Sequence, residues 1–281
     1  MNRINAPDGT PLVYDAYEPS QPAVAVLFLH DWYPQPTGPA EAFAETGAQL
    51  RDAGFAAYLL DQRGSGRSGG RRGHLSRFSQ LLGDLQSFRR AVRQRTAAPQ
   101  VLLGHSFGGL VALRYLETQP LEPIAAAVIS SPFLGLAFEP PGWKLVAGRL
   151  LADLWPTLAL PTGVAADQVS RDAAVNETYA HDPLVHQRMT ASAWREIQWA
   201  QRAVPADADR IEAPLLFLLA GEDHLTDAHL ARGFAGALKT PVEVRWYPEM
   251  YHEVLNDPQR ERVLDDVLAF LGVRITFSEP R

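Results

Sequence analysis

Short apolar runs of strand length alternate along this chain with longer stretches of helical spacing, the signature of a mostly parallel sheet covered by helices. Residues 12–17 alternate between apolar and polar side chains and read as an early, partly exposed strand. Residues 23–30 are continuously apolar, which fits a central strand buried on both faces. Helical spacing over 41–52 stops at Gly54, and the strand at 55–61 runs into a loop punctuated by Gly64, Gly66, Gly69, Gly70 and Gly73. Ser76 is placed to cap a helix to Arg95, with Phe78, Leu81, Leu85, Phe88 and Val92 on one face. A strand at 100–104, a helix at 107–117 and a strand at 124–130 follow.

The rhythm then breaks. Residues 132–203 carry no clear strand, and Pro140, Pro141, Pro156, Pro161 and Pro183 interrupt their helical segments. Alternation returns with strands at 215–220 and 242–247 and helices at 226–238 and 258–271. The expected organisation is a core of 1–131, a helical cap of 132–203 inserted after the sixth strand-like run, the rest of the core at 204–272, and a tail at 273–281. Within the cap, Trp143, Val146, Ala147, Leu150 and Leu154 recur at spacings of three and four, so a helix over 142–154 carries one apolar stripe, widened by Leu145 and Leu151, with Lys144, Arg149 and Asp153 on the polar side. Such a stripe either packs on the domain below or faces an apolar substrate or a lipid surface. Trp143, Val146 and Leu150 are its candidate substrate contacts.

Against this framework one pentapeptide carries chemistry. Gly104-His105-Ser106-Phe107-Gly108 reads G-x-S-x-G between an apolar strand and a helix. A serine on such a strand-to-helix turn exposes its hydroxyl, and the helix that follows aims its amides at the same spot. A merely structural glycine turn is the plainer reading, but it does not require the strand–helix context. A serine nucleophile needs a base, and the base needs an acid to hold its tautomer. The expected chain order is serine, acid, histidine, each at the C-terminal end of a strand. Asp223 follows the strand at 215–220 and His252 follows the strand at 242–247, with Glu222 and Asp227 as rival acids. The oxyanion donors fall on the amide of Phe107 and, in the loop after the third strand-like run, on the amide of Trp32.

Composition narrows the partners. The chain has 281 residues, 46% of them hydrophobic and 21% charged, with a formal net charge of −6. That balance is ordinary for a globular enzyme and gives little attraction for nucleic acid. There is no cysteine, which excludes a thiolate nucleophile and cysteine-held metals. No histidine stands at metal-ligand spacing with carboxylates, so neither a metal nor an organic cofactor is expected. The first nine residues lack the apolar core of a signal peptide and no run is long enough to span a bilayer, so a cytoplasmic location is expected.

Further motifs bear on the family. Asp61-Gln62-Arg63-Gly64-Ser65-Gly66-Arg67-Ser68 reads D-x-R-G-x-G-x-S, and Arg72-Gly73-His74 reads R-G-H. The cap contains Ser170-Arg171-Asp172 and, further on, His181-Asp182-Pro183-Leu184. With the nucleophile block Gly104–Gly109, these resemble the monoacylglycerol lipase and lysophospholipase branch of the α/β-hydrolases, which also holds serine aminopeptidase-like sequences. The resemblance covers nearly the whole chain. It implies the α/β-hydrolase fold, catalytic roles for Ser106, Asp223 and His252, and oxyanion donors at Trp32 and Phe107. It also implies hydrolysis of a small lipid or ester, monoacylglycerol first and lysophospholipid or a general carboxylic ester next. Transient contact of the cap with a membrane surface is compatible with it. A peptidase of the same fold and a non-catalytic binding protein are the rivals. One departure stands out: the family has His-Gly where this chain has His30-Asp31. An acid there disfavours an oxyanion unless it turns away or is paired, and Asp31 is expected to turn away.

Overall fold

The computed structural model describes residues 1–32, 43–118, 120, 122–139, 141–181 and 188–276, with the side chains of 143–147, 149, 181 and 273–276 outside that description. Among the described residues, eight strands form one sheet in the order β1-β2-β4-β3-β5-β6-β9-β10. These are β1 (Asn2–Asn5), β2 (Pro11–Tyr17), β3 (Ala25–Leu29), β4 (Ala56–Asp61), β5 (Gln100–His105), β6 (Ala126–Ser130), β9 (Leu215–Ala220) and β10 (Val242–Tyr247). β1 and β2 form an antiparallel edge, and every pairing from β4 through β10 is parallel. Strands β3 to β6 and β9 are buried along their whole length, because helices cover both faces and leave no polar side to alternate with.

The two cores have different coverings. On one face lie α2 (Ser79–Arg95), α3 (Phe107–Leu116), α6 (Ala191–Asp207) and α7 (Ala228–Ala237), whose Phe88, Leu110, Ile197 and Phe234 meet Leu27, Leu102 and Phe217 of the sheet. On the other lie α1 (Ala44–Asp52) and α8 (Arg260–Thr276), whose Leu50, Val263 and Phe270 meet Val26, Leu103 and Leu218.

Between β6 and β9 the chain leaves the sheet through α4 (Gly142–Leu154), β7 (Ala159–Pro161), α5 (Ala173–His181), β8 (Arg188–Thr190) and α6. The expected helix over 142–154 is present, whereas the strands β7 and β8, which pair antiparallel, have no counterpart in the sequence reading. The boundary placed at 203/204 falls inside α6. That helix begins in the inserted segment and buries Ile197, Ala200 and Val204 in the core, so it belongs to both. The expected tail from 273 is corrected as well, since α8 continues to Thr276. Residues 182–187, which include most of the second cap motif, lie outside the described residues.

Two helix starts differ from expectation for a visible reason. Ser76 does not cap α2, because its hydroxyl lies 3.0 Å from His74 Nε2 and the helix begins at Ser79. The amide of Phe78 is satisfied instead by Glu196 Oε2 of α6 at 2.8 Å. Asp227, one of the rival acids, caps α7 by accepting from the Leu230 amide at 2.8 Å.

Candidate active site

Ser106 occupies the turn between β5 and α3 with φ 52° and ψ −114°, a conformation that non-glycine residues rarely adopt. Its amide donates to the Ser130 carbonyl at 2.8 Å, and its carbonyl accepts from Phe133 at 3.0 Å, so the surroundings hold the strained residue in place. The flanking glycines have a steric cause. A Cβ at Gly104 would stand 2.5 Å from the Gly108 carbonyl oxygen, and one at Gly108 would collide with the Leu29 carbonyl.

His252 follows β10 and is buried beneath the same cavity that Ser106 lines. Its Nδ1 lies 2.8 Å from Asp223 Oδ2. A carboxylate only accepts, so the ring proton is assigned to Nδ1 and Nε2 keeps its lone pair. Asp223 is wrapped by its own loop: Oδ1 accepts from the Leu225 and Thr226 amides at 2.9 and 2.8 Å, and Oδ2 from the Thr226 hydroxyl at 2.8 Å. Burial alone would push the Asp223 carboxyl up, but the His252 charge and these hydrogen bonds hold it below the usual carboxylate range. Burial likewise opposes a charged His252, yet the charges of Asp223, Glu253 and Asp31 raise its proton affinity above that of an ordinary imidazole. The arrangement is a buried histidine whose Nδ1 meets a carboxylate, with a serine lining the same cavity. Glu222 is exposed and Asp227 is committed to its helix cap, so Asp223 alone of the three contacts His252.

Phe107 is the first residue of α3, where a helix amide has no partner within the helix. The Trp32 ring, in the loop after β3, stands edge-on to that of Phe107, with centroids 4.8 Å apart and planes at 89°. Asp31 stands beside them, with its Oδ1 3.7 Å from His30 Nδ1. Burial raises its pKa and the nearby Glu253 adds to the effect.

Above Ser106 and His252 lies a cavity of about 570 Å³. Phe133, Leu136, Phe138, Leu151, Leu160, Met189 and Trp194 make its walls largely apolar. Here one expectation fails. Leu150 is 58% exposed and Leu154 83% exposed, while Gly148 and Leu151 line the cavity and Ala152 is buried. Among the described side chains of α4, Leu151 and Ala152 therefore face inward, and Leu150, the expected substrate contact, faces outward. Gly148 packs beside the Trp194 ring, which would lie 3.6 Å from a Cβ there, an ordinary contact. The side chains of Trp143 and Val146 lie outside the described residues.

The glycine-rich loop motif makes structural contacts. Asp61 Oδ2 accepts from the Arg67 amide and Nε at 3.0 and 2.7 Å, and Ser68 Oγ accepts from the Val13 amide at 2.8 Å, tying the glycine-rich loop to β2 and β4. In the cap, Arg171 makes a bidentate pair with Asp257 at 2.8 and 2.7 Å, just beyond His252. The sequence reading missed that pair because its members are far apart in the chain.

Comparison with known proteins now places the chain. Residues 37–259 match the family described as serine aminopeptidase, S33 (Hydrolase_4). The chain belongs to that family. It is a serine hydrolase of the α/β-hydrolase fold. Among this S33 member's relatives, a protein named monoacylglycerol lipase from Mycolicibacterium smegmatis is 32% identical over 94% of this chain and 93% of its own. A protein named phospholipase YtpA from Bacillus subtilis is 30% identical over 78% of this chain and 85% of its own. Of solved structures, the monoacylglycerol lipase of Paleococcus ferrophilus superposes with a TM-score of 0.84 at 27% identity, covering 94% of this chain and 99% of that one.

Proposed function

We propose that this S33 hydrolase cleaves carboxylic esters of small lipids, with monoacylglycerol as the first substrate, through an acyl-enzyme on Ser106. The observation that carries the reading is an apolar cavity of about 570 Å³ lined at once by Ser106 and by the His252 that bonds Asp223. An acyl chain in that cavity presents its ester carbonyl to Ser106. His252 Nε2 takes the hydroxyl proton as Oγ attacks, and the amides of Phe107 and Trp32 hold the oxyanion. Collapse expels glycerol, protonated by His252, and water repeats the sequence on the acyl-enzyme.

Two rivals fit the cavity less well. A peptidase needs carboxylates to hold a substrate α-ammonium, and a lysophospholipase gains from cations that meet a phosphate. The described lining residues include neither. The relatives named monoacylglycerol lipase support the same choice.

The test is hydrolysis of 1-monoacylglycerols, lysophosphatidylcholine, p-nitrophenyl esters and aminoacyl anilides at one pH. Monoacylglycerols are expected to turn over fastest, and kcat/KM is expected to rise from acetyl to at least octanoyl esters, because each buried methylene contributes about 0.8 kcal/mol. A preference for aminoacyl anilides, or for acetyl over every longer acyl group, contradicts the reading.

A further inference from the structure

His105 and Glu253 adjoin the nucleophile and the base in the chain, yet the mechanism above uses neither. Both side chains are buried, behind His252 as seen from the cavity's serine. His105 Nε2 lies 3.1 Å from Glu253 Oε1, and the His105 ring stands 5.0 Å from the His252 ring, centroid to centroid, with planes at 51°. The other ring nitrogen of His105 is 3.0 Å from Ser130 Oγ. His105 Nε2 lies within reach of Glu253 Oε1 but lacks the alignment of a hydrogen bond. Glu253 is tethered at two further points: Oε2 accepts from Asn256 Nδ2 at 3.0 Å, and its amide donates to the Val169 carbonyl of the cap at 3.0 Å.

A carboxylate buried this deeply is costly unless its charge is used or paired. We propose that Glu253, held against His105, is a positioning residue for His252: the pair braces the plane of the base and supplies a buried negative charge to the imidazolium that forms when His252 accepts the Ser106 proton. The inference rests on the reading of His252 as the base. In that step the Oγ–H bond breaks, the proton goes to Nε2, and Oγ bonds the ester carbon. The positive charge that appears on the ring faces Asp223 from the loop after β9, Asp31 from the loop after β3, His105 from β5, and Glu253 beside it, with His30 behind Asp31. Burial holds Asp31 above the usual carboxylate range. Burial would raise Glu253 too, but the charge of His105 brings it below that range.

Glu253→Gln keeps the size and an acceptor for Asn256 while removing the charge. The acid limb of kcat/KM on a soluble ester is expected to move to lower pH by roughly half a unit or more. In the same variant kcat is expected to fall about tenfold with KM little changed. Glu253→Asp, which restores the charge, is expected to return the limb toward its wild-type position. A limb unmoved in Glu253→Gln overturns the proposal, because a merely structural role lowers stability or kcat without shifting the titration of the base. A second measurement needs no variant. In wild-type protein labelled with ¹³C-glutamate, the Glu253 carboxyl resonance is expected to step at the pH where His252 titrates, since coupling between two sites is reciprocal. A flat resonance through that transition overturns the proposal. The titration does not depend on ester hydrolysis, so failure of the hydrolytic reading shows separately, as a wild-type protein inactive on esters.

Discussion

Asp223 is a carboxylate stripped of water and compensated by the loop that carries it, with both oxygens engaged by Leu225, Thr226 and His252. Replacing it with asparagine offers His252 Nδ1 an amide, which favours the wrong tautomer. Asp223→Asn is therefore expected to lower kcat by about 10⁴-fold. Asp227→Ala, three residues beyond Leu225's neighbour His224, removes only a helix cap and is expected to lower stability by about 1 kcal/mol with kcat nearly unchanged. Steady-state kinetics and thermal melts of the two variants check the contrast, and reversed effects contradict the assignment. The raised proton affinity of His252 also fixes a sign. The base works only when neutral, so kcat/KM falls as pH drops through its pKa, and the midpoint of that limb is expected above the roughly 6.5 of a free imidazole. Asp31 stands 3.7 Å from His30 and burial raises its pKa, so Asp31→Gly is expected to change kcat by less than about tenfold.

The elements divide into those whose cause is local and those whose cause is distant. Strands β3, β5 and β9 were legible because both of their faces are apolar, and the elbow was legible because its glycines answer to steric contacts within a few residues and with the neighbouring strand. The start of α2 was not legible, since the Phe78 amide is satisfied by Glu196, more than a hundred residues away. The three-residue strands β7 and β8 carry too little pattern to read, and the edge strand β1 is mostly polar. Within α4 the apolar stripe was too broad to tell Leu150, which is exposed, from Leu151, which lines the cavity. A prediction follows for the cap. Leu151→Asp is expected to flatten the rise of kcat/KM with acyl length, while Leu150→Asp, on the exposed side, is expected to leave the rise intact for soluble esters. Equal loss at all chain lengths in Leu151→Asp makes α4 mere packing.

On the scale of the whole molecule, stability and catalysis respond to pH through different groups. Glu117, at the end of α3, is buried beside Arg114, and burial pushes its carboxyl up to about 8. A carboxyl raised on folding contributes stability that is fully present below its unfolded pKa of about 4.3 and is lost as pH rises through its folded value. Thermal stability is therefore expected to decline between pH 5 and pH 9, and Glu117→Gln is expected to flatten that decline; an unchanged slope contradicts this account of the group. Among the described residues no helix is long and apolar enough to cross a membrane, so the exposed Leu154 and Trp155 of the cap belong to a surface rather than a span. The central claim is that the strained serine of the elbow is the nucleophile, and covalent labelling by a fluorophosphonate, located by peptide mass mapping, tests it most directly. The expected result is stoichiometric adduct on the peptide that contains Ser106 and none on folded Ser106→Ala; an adduct of full stoichiometry on that variant, or on another residue of the wild type, contradicts the account.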